Sequence, residues 1–173
     1  MKKNIALVAG GYSGEYEISI RSAGQIAQNI DTNKYNVYTI VIEKQSWYYC
    51  VEGKYIEIDK NDFSLTLNGE KINFEGALII VHGTPGENGL LQGYFDMLNI
   101  PYTTCSALVS TITFDKEVCN ALVRSFDIVN VAKNTSVFKD EKIDLDKISS
   151  TINFPLFVKP SEGGSSIGIN KVS

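Results

Sequence analysis

Four short segments of this chain carry residue types and spacings that could do chemistry. The first is Ala9-Gly10-Gly11-Tyr12-Ser13-Gly14-Glu15-Tyr16-Glu17. A glycine turn between a strand and a helix offers backbone N–H groups to an anion. The segment comes close to Gly-x-Gly-x-x-Gly, with Ala9 in the first glycine position, and Glu43 would then be the ribose-binding acid of a dinucleotide site. Glu43 lies farther along than the usual ~20 residues, however. Glu15 and Glu17 could instead hold an ammonium group, orient a hydroxyl, or only favour the positive end of a helix.

The second segment is His82-Gly83-Thr84-Pro85-Gly86-Glu87-Asn88-Gly89, which follows an apolar strand and contains the only histidine. Ligands of open α/β sheets bind just past the carboxyl ends of strands, and glycines let a loop approach them closely. A lone histidine there is also compatible with a purely structural role. The third segment is Asp115-Lys116, which taken alone reads as little more than a helix start with a surface lysine. The fourth runs from Val158-Lys159-Pro160 through Ser161-Glu162-Gly163-Gly164-Ser165-Ser166-Ile167-Gly168. Amides and hydroxyls of such a loop can wrap a phosphate while a lysine supplies charge. It is not a Walker A loop, because no Gly-Lys-Ser/Thr stands at the required spacing.

The elements that must position these segments follow from periodicity. Asn4 to Ala9 is a compact apolar run and reads as a buried strand. Ile20, Ala23, Ala27 and Ile30 recur at helical spacing, and Tyr35 to Ile42 reads as a second strand. Strand, glycine turn, helix and strand predict a βαβ unit with a parallel sheet. Residues 47–75 differ: Glu52-Gly53 and Asn68-Gly69 separate alternating runs, which predicts antiparallel hairpins inserted on that sheet. Ala77 to Val81 is again a buried strand, Leu90 to Leu98 a helix, and Ile100-Pro101-Tyr102 a short edge strand or turn. Beyond Cys105, Asp115 to Phe126 reads as a helix, and the charged connector from Asp140 leads into a short one. Phe154 to Lys159 and Ile169 to Val172 are strands flanking the Gly/Ser loop.

Composition narrows the function classes. The 173 residues are 43% hydrophobic and 21% charged, ordinary values for a globular chain. Residues 1–104 carry 8 basic and 12 acidic side chains, and residues 105–173 carry 8 of each. No basic face emerges, which argues against a nucleic-acid partner. No apolar run has membrane-spanning length, and the run from Ile5 to Ala9 is too short for a signal-peptide core. Cys50, Cys105 and Cys119 show no CxxC spacing, so a reducing, cytoplasmic location is the simpler reading.

Taken in order and spacing, these segments resemble the D-alanine–D-alanine ligases of the ATP-grasp superfamily. The anchors are Gly10-Gly11-x-Ser13-x-Glu15-x-Glu17-x-Ser19, His82-Gly83-x-x-Gly86-Glu87-x-Gly89-x-x-Gln92-Gly93, Ile100-Pro101-Tyr102-Thr103, Asp115-Lys116, and Val158-Lys159-Pro160 leading to Gly164-Ser165-Ser166-Ile167-Gly168. The resemblance implies an α/β fold: a Rossmann-like, parallel-sheet amino-terminal (pre-ATP-grasp) domain over 1–104, then part of an ATP-grasp α+β domain over 105–173. It implies joining of two D-alanines through an acylphosphate for the peptidoglycan precursor, with ATP and Mg2+ as cofactors. A homodimer formed through the first domain is implied too.

By the same resemblance Glu15 holds the ammonium of the first D-alanine, Ile18 lines its pocket, and His82 lies close to substrate. Lys116 and Lys159 contact ATP, mainly its phosphates, and Ser166 belongs to the loop that covers them. Ser165 matches the serine that hydrogen-bonds the glutamate and orients substrate, so Glu15 and Ser165 are the catalytic pair. Departures from the family pattern are Tyr16 at a usually basic position, Asn88 for an aspartate, and Thr104-Cys105 for a small Gly-Ser step. The family's magnesium ligands, catalytic arginine and adenine-contacting strand find no counterpart in these residues. The chain is therefore expected to be an amino-terminal portion of a ligase, inactive alone. The competing expectations are a short non-catalytic protein that binds a nucleotide or D-amino acid, a D-alanine–D-lactate relative, and a nicotinamide-dependent dehydrogenase.

Overall fold

A computed structural model describes residues 1–173. The first apolar run forms β1 (Lys3–Gly10), buried from Ala6 onward. Helix α1 (Tyr16–Asn29) follows, and β2 (Tyr35–Ile42) returns parallel to β1 in continuous register from Lys3–Tyr35 to Gly10–Ile42. Such a run, apolar without alternation, suits a strand covered on both faces. Ala6 and Val8 accordingly enter one core with Ile40, Ile42, Leu91 and Phe95, while Leu7 and Ala9 enter another with Ala23 of α1.

Four strands extend the sheet antiparallel beyond β2: β3 (Trp47–Val51), β4 (Lys54–Asp59), β5 (Ser64–Leu67) and β6 (Glu70–Ile72). Their two-residue turns are Glu52-Gly53, at φ 50° and 76°, and Asn68-Gly69, at φ 52° and 83°. Positive φ at both central residues is the turn geometry that matches strand twist in a hairpin. Strand β7 (Gly76–Ile79) pairs parallel with β1 on the other side, giving the order β6-β5-β4-β3-β2-β1-β7. Helix α2 (Leu90–Leu98) buries Leu91, Gln92 and Phe95. The Ile100–Tyr102 segment contributes a single parallel bridge between Ala77 and Tyr102.

Helix α3 (Ala107–Phe114) has no counterpart in the periodicity reading. Its sequence, ALVSTITF, is apolar nearly all round and rich in β-branched residues, so no 3.6-residue stripe marks it. Helices α4 (Lys116–Ser125) and α5 (Leu145–Thr151) and the antiparallel pair β8 (Leu156–Val158) and β9 (Asn170–Val172) complete the chain. The fold is α/β, with a mixed sheet whose parallel part is β2-β1-β7. The chain divides into two compact units, Met1–Thr111 and Ile112–Ser173. Every fully buried hydrophobic side chain lies in the first, between Ala6 and Phe95. No helix is long and apolar enough to cross a membrane.

Candidate active site

In the first unit the glycine turn after β1 and the loop after β7 interlock. The Tyr12 N–H donates to the Thr84 carbonyl at 2.8 Å, and the Ser13 hydroxyl donates to the His82 carbonyl at 2.9 Å. The same hydroxyl accepts the Glu15 N–H at 3.2 Å. A methyl group on Gly83 would lie 2.7 Å from Ser13 Oγ and 3.3 Å from Glu15 Oε2, so the carboxylate sits against Gly83, next to His82 in sequence. Gly83 holds φ at +68°, where a side chain would be strained as well as crowded.

Glu15 is 5% exposed and occupies the N-cap of α1, yet its side chain caps none of the helix's own amides. A buried carboxylate is costly unless its charge meets a partner, and the positive end of the helix offsets part of that cost. Ile18 lies one helical turn on, largely exposed, and His82 is half-buried.

Several braces set this geometry. The Gly83 N–H donates to Glu87 Oε2 at 2.6 Å, closing the loop on itself. Fully buried Gln92 donates to the Gly86 carbonyl at 2.6 Å and to Thr104 Oγ1 at 2.9 Å. Ser19, also fully buried, donates to the Ile80 carbonyl at 2.7 Å and accepts the Gly10 N–H at 2.9 Å, pinning α1 to the carboxyl ends of the sheet. Tyr16 and Tyr48 both donate to Glu43 Oε1 at 3.0 Å. Burial, aided by the Glu43 carboxylate, raises both phenols above their ordinary range. Glu43 is thus occupied by two phenols, which disfavours it as a ribose ligand. An apolar cavity of about 340 Å3 lies at the opposite, amino ends of β1 and β7, lined by Ile5, Ile30, Leu78 and Tyr102.

The second unit places Asp115, Lys116 and the Gly/Ser loop together. Asp115 caps α4, its Oδ1 accepting from the N–H groups of Glu117 and Val118 at 2.8 and 3.1 Å. It also accepts the Ser161 hydroxyl at 2.8 Å. The Val118 N–H, then the Ser161 hydroxyl, hold this carboxyl below its usual 3.8. The Lys116 ammonium donates to the carbonyls of Ser161 and Gly163 at 3.2 and 2.7 Å. Lys159 stands just past β8, exposed, with its ammonium 5.9 Å from the centre of the Phe157 ring. Ser165 and Ser166 both adopt positive φ, 49° and 60°. That conformation costs roughly 1–2 kcal/mol per non-glycine residue and concentrates at functional loops. The Lys116 ammonium beside a loop of hydroxyls and amides, with Lys159 preceding that loop in sequence, makes a donor set that fits polyphosphate. No group of three or more His, Cys, Asp or Glu side chains that could hold a metal ion is gathered in this structure.

Among the expected site residues, Glu15 thus meets the His82-Gly83 loop in the first unit, and Lys116 meets the base of the Ser165-Ser166 loop in the second. Ser13, Ser19, Gln92 and Ser161 hold these groups in place and were not among them. The first three sit in the anchor motifs and Ser161 in the fourth segment, so the signal was present without a role attached.

Comparison with known proteins gives the family. Residues 4–105 match the D-ala D-ala ligase N-terminus, and residues 122–173 match the D-ala D-ala ligase C-terminus. The chain belongs to the D-alanine–D-alanine ligase family. The D-alanine--D-alanine ligase of Parabacteroides distasonis is 47% identical over 173 residues, which cover 99% of this chain and 52% of that protein. The solved D-alanine-D-alanine ligase of Coxiella burnetii superposes with a TM-score of 0.84 at 28% identity, covering 99% of this chain and 56% of its own. The Bacillus anthracis ligase solved with ATP has a TM-score of 0.73 at 27% identity and covers 98% of this chain and 50% of its own. The chain spans about half the length of the curated relatives it matches.

Proposed function

We propose that this ligase-family chain supplies the D-alanine-binding and phosphate-binding parts of an ATP-dependent D-alanine–D-alanine ligase. The observation that carries the reading is Glu15: a buried carboxylate at a helix start, packed against the His82-Gly83 loop. Glu15 takes the ammonium of the first D-alanine, Ile18 lines the side of its pocket, and His82 faces its carboxylate. That carboxylate attacks the γ-phosphorus of ATP, giving an acylphosphate and ADP. The amine of a second D-alanine then attacks the acyl carbon, forming the amide and releasing phosphate and a proton.

Phosphoryl transfer needs positioning and charge neutralisation more than covalent help from the protein. Lys116 and Lys159 supply the charge, while Ser165 and Ser166 present hydroxyls and amides that exclude water from a hydrolysable intermediate. The relative solved with ATP supports that choice of nucleotide. Magnesium ligands, on this reading, come from outside these 173 residues. The dipeptide serves the peptidoglycan precursor, the protein works in the cytoplasm, and two copies pair through the first unit.

The test is a titration of the pure chain with D-alanine and L-alanine, followed by an assay for ADP. Saturable D-alanine binding in preference to L-alanine is expected, with no D-alanine-dependent ADP formation. Equal or absent binding of the two would sink the substrate reading, and ADP formation would sink the assignment of the metal ligands elsewhere.

A further inference from the structure

We propose that Asp115 and Ser161 are positioning residues that pin the base of the Gly/Ser loop, so that the loop's own carbonyls present the Lys116 ammonium to a phosphate oxygen. This rests on the nucleotide reading above and extends it to two residues that do not themselves touch phosphate in that reading. The Ser161 hydroxyl reaches Asp115 Oδ1 across 46 residues of sequence. The Ser161 carbonyl accepts the Lys116 backbone N–H at 3.0 Å and the Lys116 ammonium at 3.2 Å. The Gly163 carbonyl takes a second ammonium hydrogen at 2.7 Å. Gly163 turns that carbonyl toward the lysine at φ +113°, a conformation closed to ordinary side chains.

An ammonium group has three N–H donors. Two are fixed on loop carbonyls, which leaves one for an anionic oxygen. A lysine on its flexible stem would lose rotamer freedom on binding phosphate; here that ordering precedes the ligand. Asp115 would repel a phosphate if its charge were open. Its Oδ1 instead accepts three donors, from Glu117, Val118 and Ser161, which turns that charge into the clip. The arrangement explains why an acid adjoins a phosphate-binding lysine. Ser161 is exposed and its side chain makes only this bond, so its removal isolates the clip from the fold.

The experiment is a nuclear magnetic resonance titration of the 173-residue chain with ATP, comparing wild type, Ser161→Ala, Asp115→Asn, Asp115→Ala and the double alanine variant. Wild type should show ATP-dependent shifts at Lys116 and residues 161–168. Ser161→Ala should bind ATP about 3- to 10-fold more weakly, the loss of one hydrogen bond, with α4 amide protection unchanged. Asp115→Asn keeps both the cap and the acceptor and should bind within about twofold of wild type. The double alanine variant should bind no more weakly than Asp115→Ala, because the clip acts as one unit. Wild-type affinity in Ser161→Ala would overturn the proposal alone. No ATP-dependent shift in wild type would overturn the nucleotide reading and the proposal with it.

Discussion

Glu15 is the side chain on which the proposed substrate reading turns. It is 5% exposed, and the α1 N-terminus beside it favours a negative charge. Glu15→Gln keeps the shape and removes the charge. A hydrogen bond to a charged group is worth about 1.5–3 kcal/mol, so D-alanine affinity should fall about 10- to 100-fold. Calorimetric titration would check this, and an unchanged unfolding midpoint would separate it from misfolding.

Asp115 offers a second test at the same scale. Its folded pKa lies below the ordinary 3.8 because the Val118 N–H and the Ser161 hydroxyl favour the carboxylate. A lowered pKa adds stability that is present above the unfolded value and is lost as pH falls through the folded one. The start of α4 should therefore hold above the ordinary 3.8 and loosen only as pH falls below it, as amide protection would show. Asp115→Asn should remove this acid limb; an unchanged limb would assign it to another carboxyl.

The elements do their work through loops that leave no spare room. The turn after β1 and the loop after β7 are joined by the Tyr12–Thr84 and Ser13–His82 bonds, and Gly83 fills the gap between Ser13 and Glu15. Gly83→Ala would need φ +68° and would push into Ser13. Crowding of this kind costs about 1–3 kcal/mol, and each kcal/mol lowers Tm by about 2–4 °C in a chain of this size. A thermal melt should show that drop together with weaker D-alanine binding. A variant with wild-type Tm and affinity would show that the loop relaxes freely. The antiparallel extension β3–β6 serves the same site indirectly: Trp47 on β3 packs edge-on to Tyr94 of α2 and donates to the Tyr12 hydroxyl at 3.2 Å.

The whole molecule is uneven in burial. The first unit contains all the fully buried hydrophobic side chains, whereas the second has none. On α4 and its C-cap, Val118, Leu122 and Phe126 are 48%, 40% and 62% exposed at helical spacing. Local stability follows the density of buried contacts, so amides of β1, β2 and β7 should exchange at least about 100-fold more slowly than those of residues 112–173. Hydrogen exchange read by mass spectrometry would measure the difference. Equal protection across both units would show that the second is stabilised by more than its side-chain burial.

What the sequence determined by itself was local. The alternating runs and Asn68-Gly69 imply the β5–β6 hairpin, and the apolar spacing of Leu91, Phe95 and Leu98 implies α2 at Leu90–Leu98. Periodicity and turn chemistry act between residues a few positions apart, which is why they can be read without the fold. The site loops were legible for a similar reason, since each motif is contiguous. Helix α3 was not, because its β-branched, uniformly apolar residues carry no period.

Only the tertiary structure decided which loops meet and how. The Ser13–His82 bond spans 69 residues, Tyr16–Glu43 spans 27, and Asp115–Ser161 spans 46. Such partners are chosen by the parallel register of β1 with β2 and β7 and by the approach of the Ser161 loop to α4. The clearance above Glu15 is likewise set by backbone on another strand end, so no local pattern encodes it.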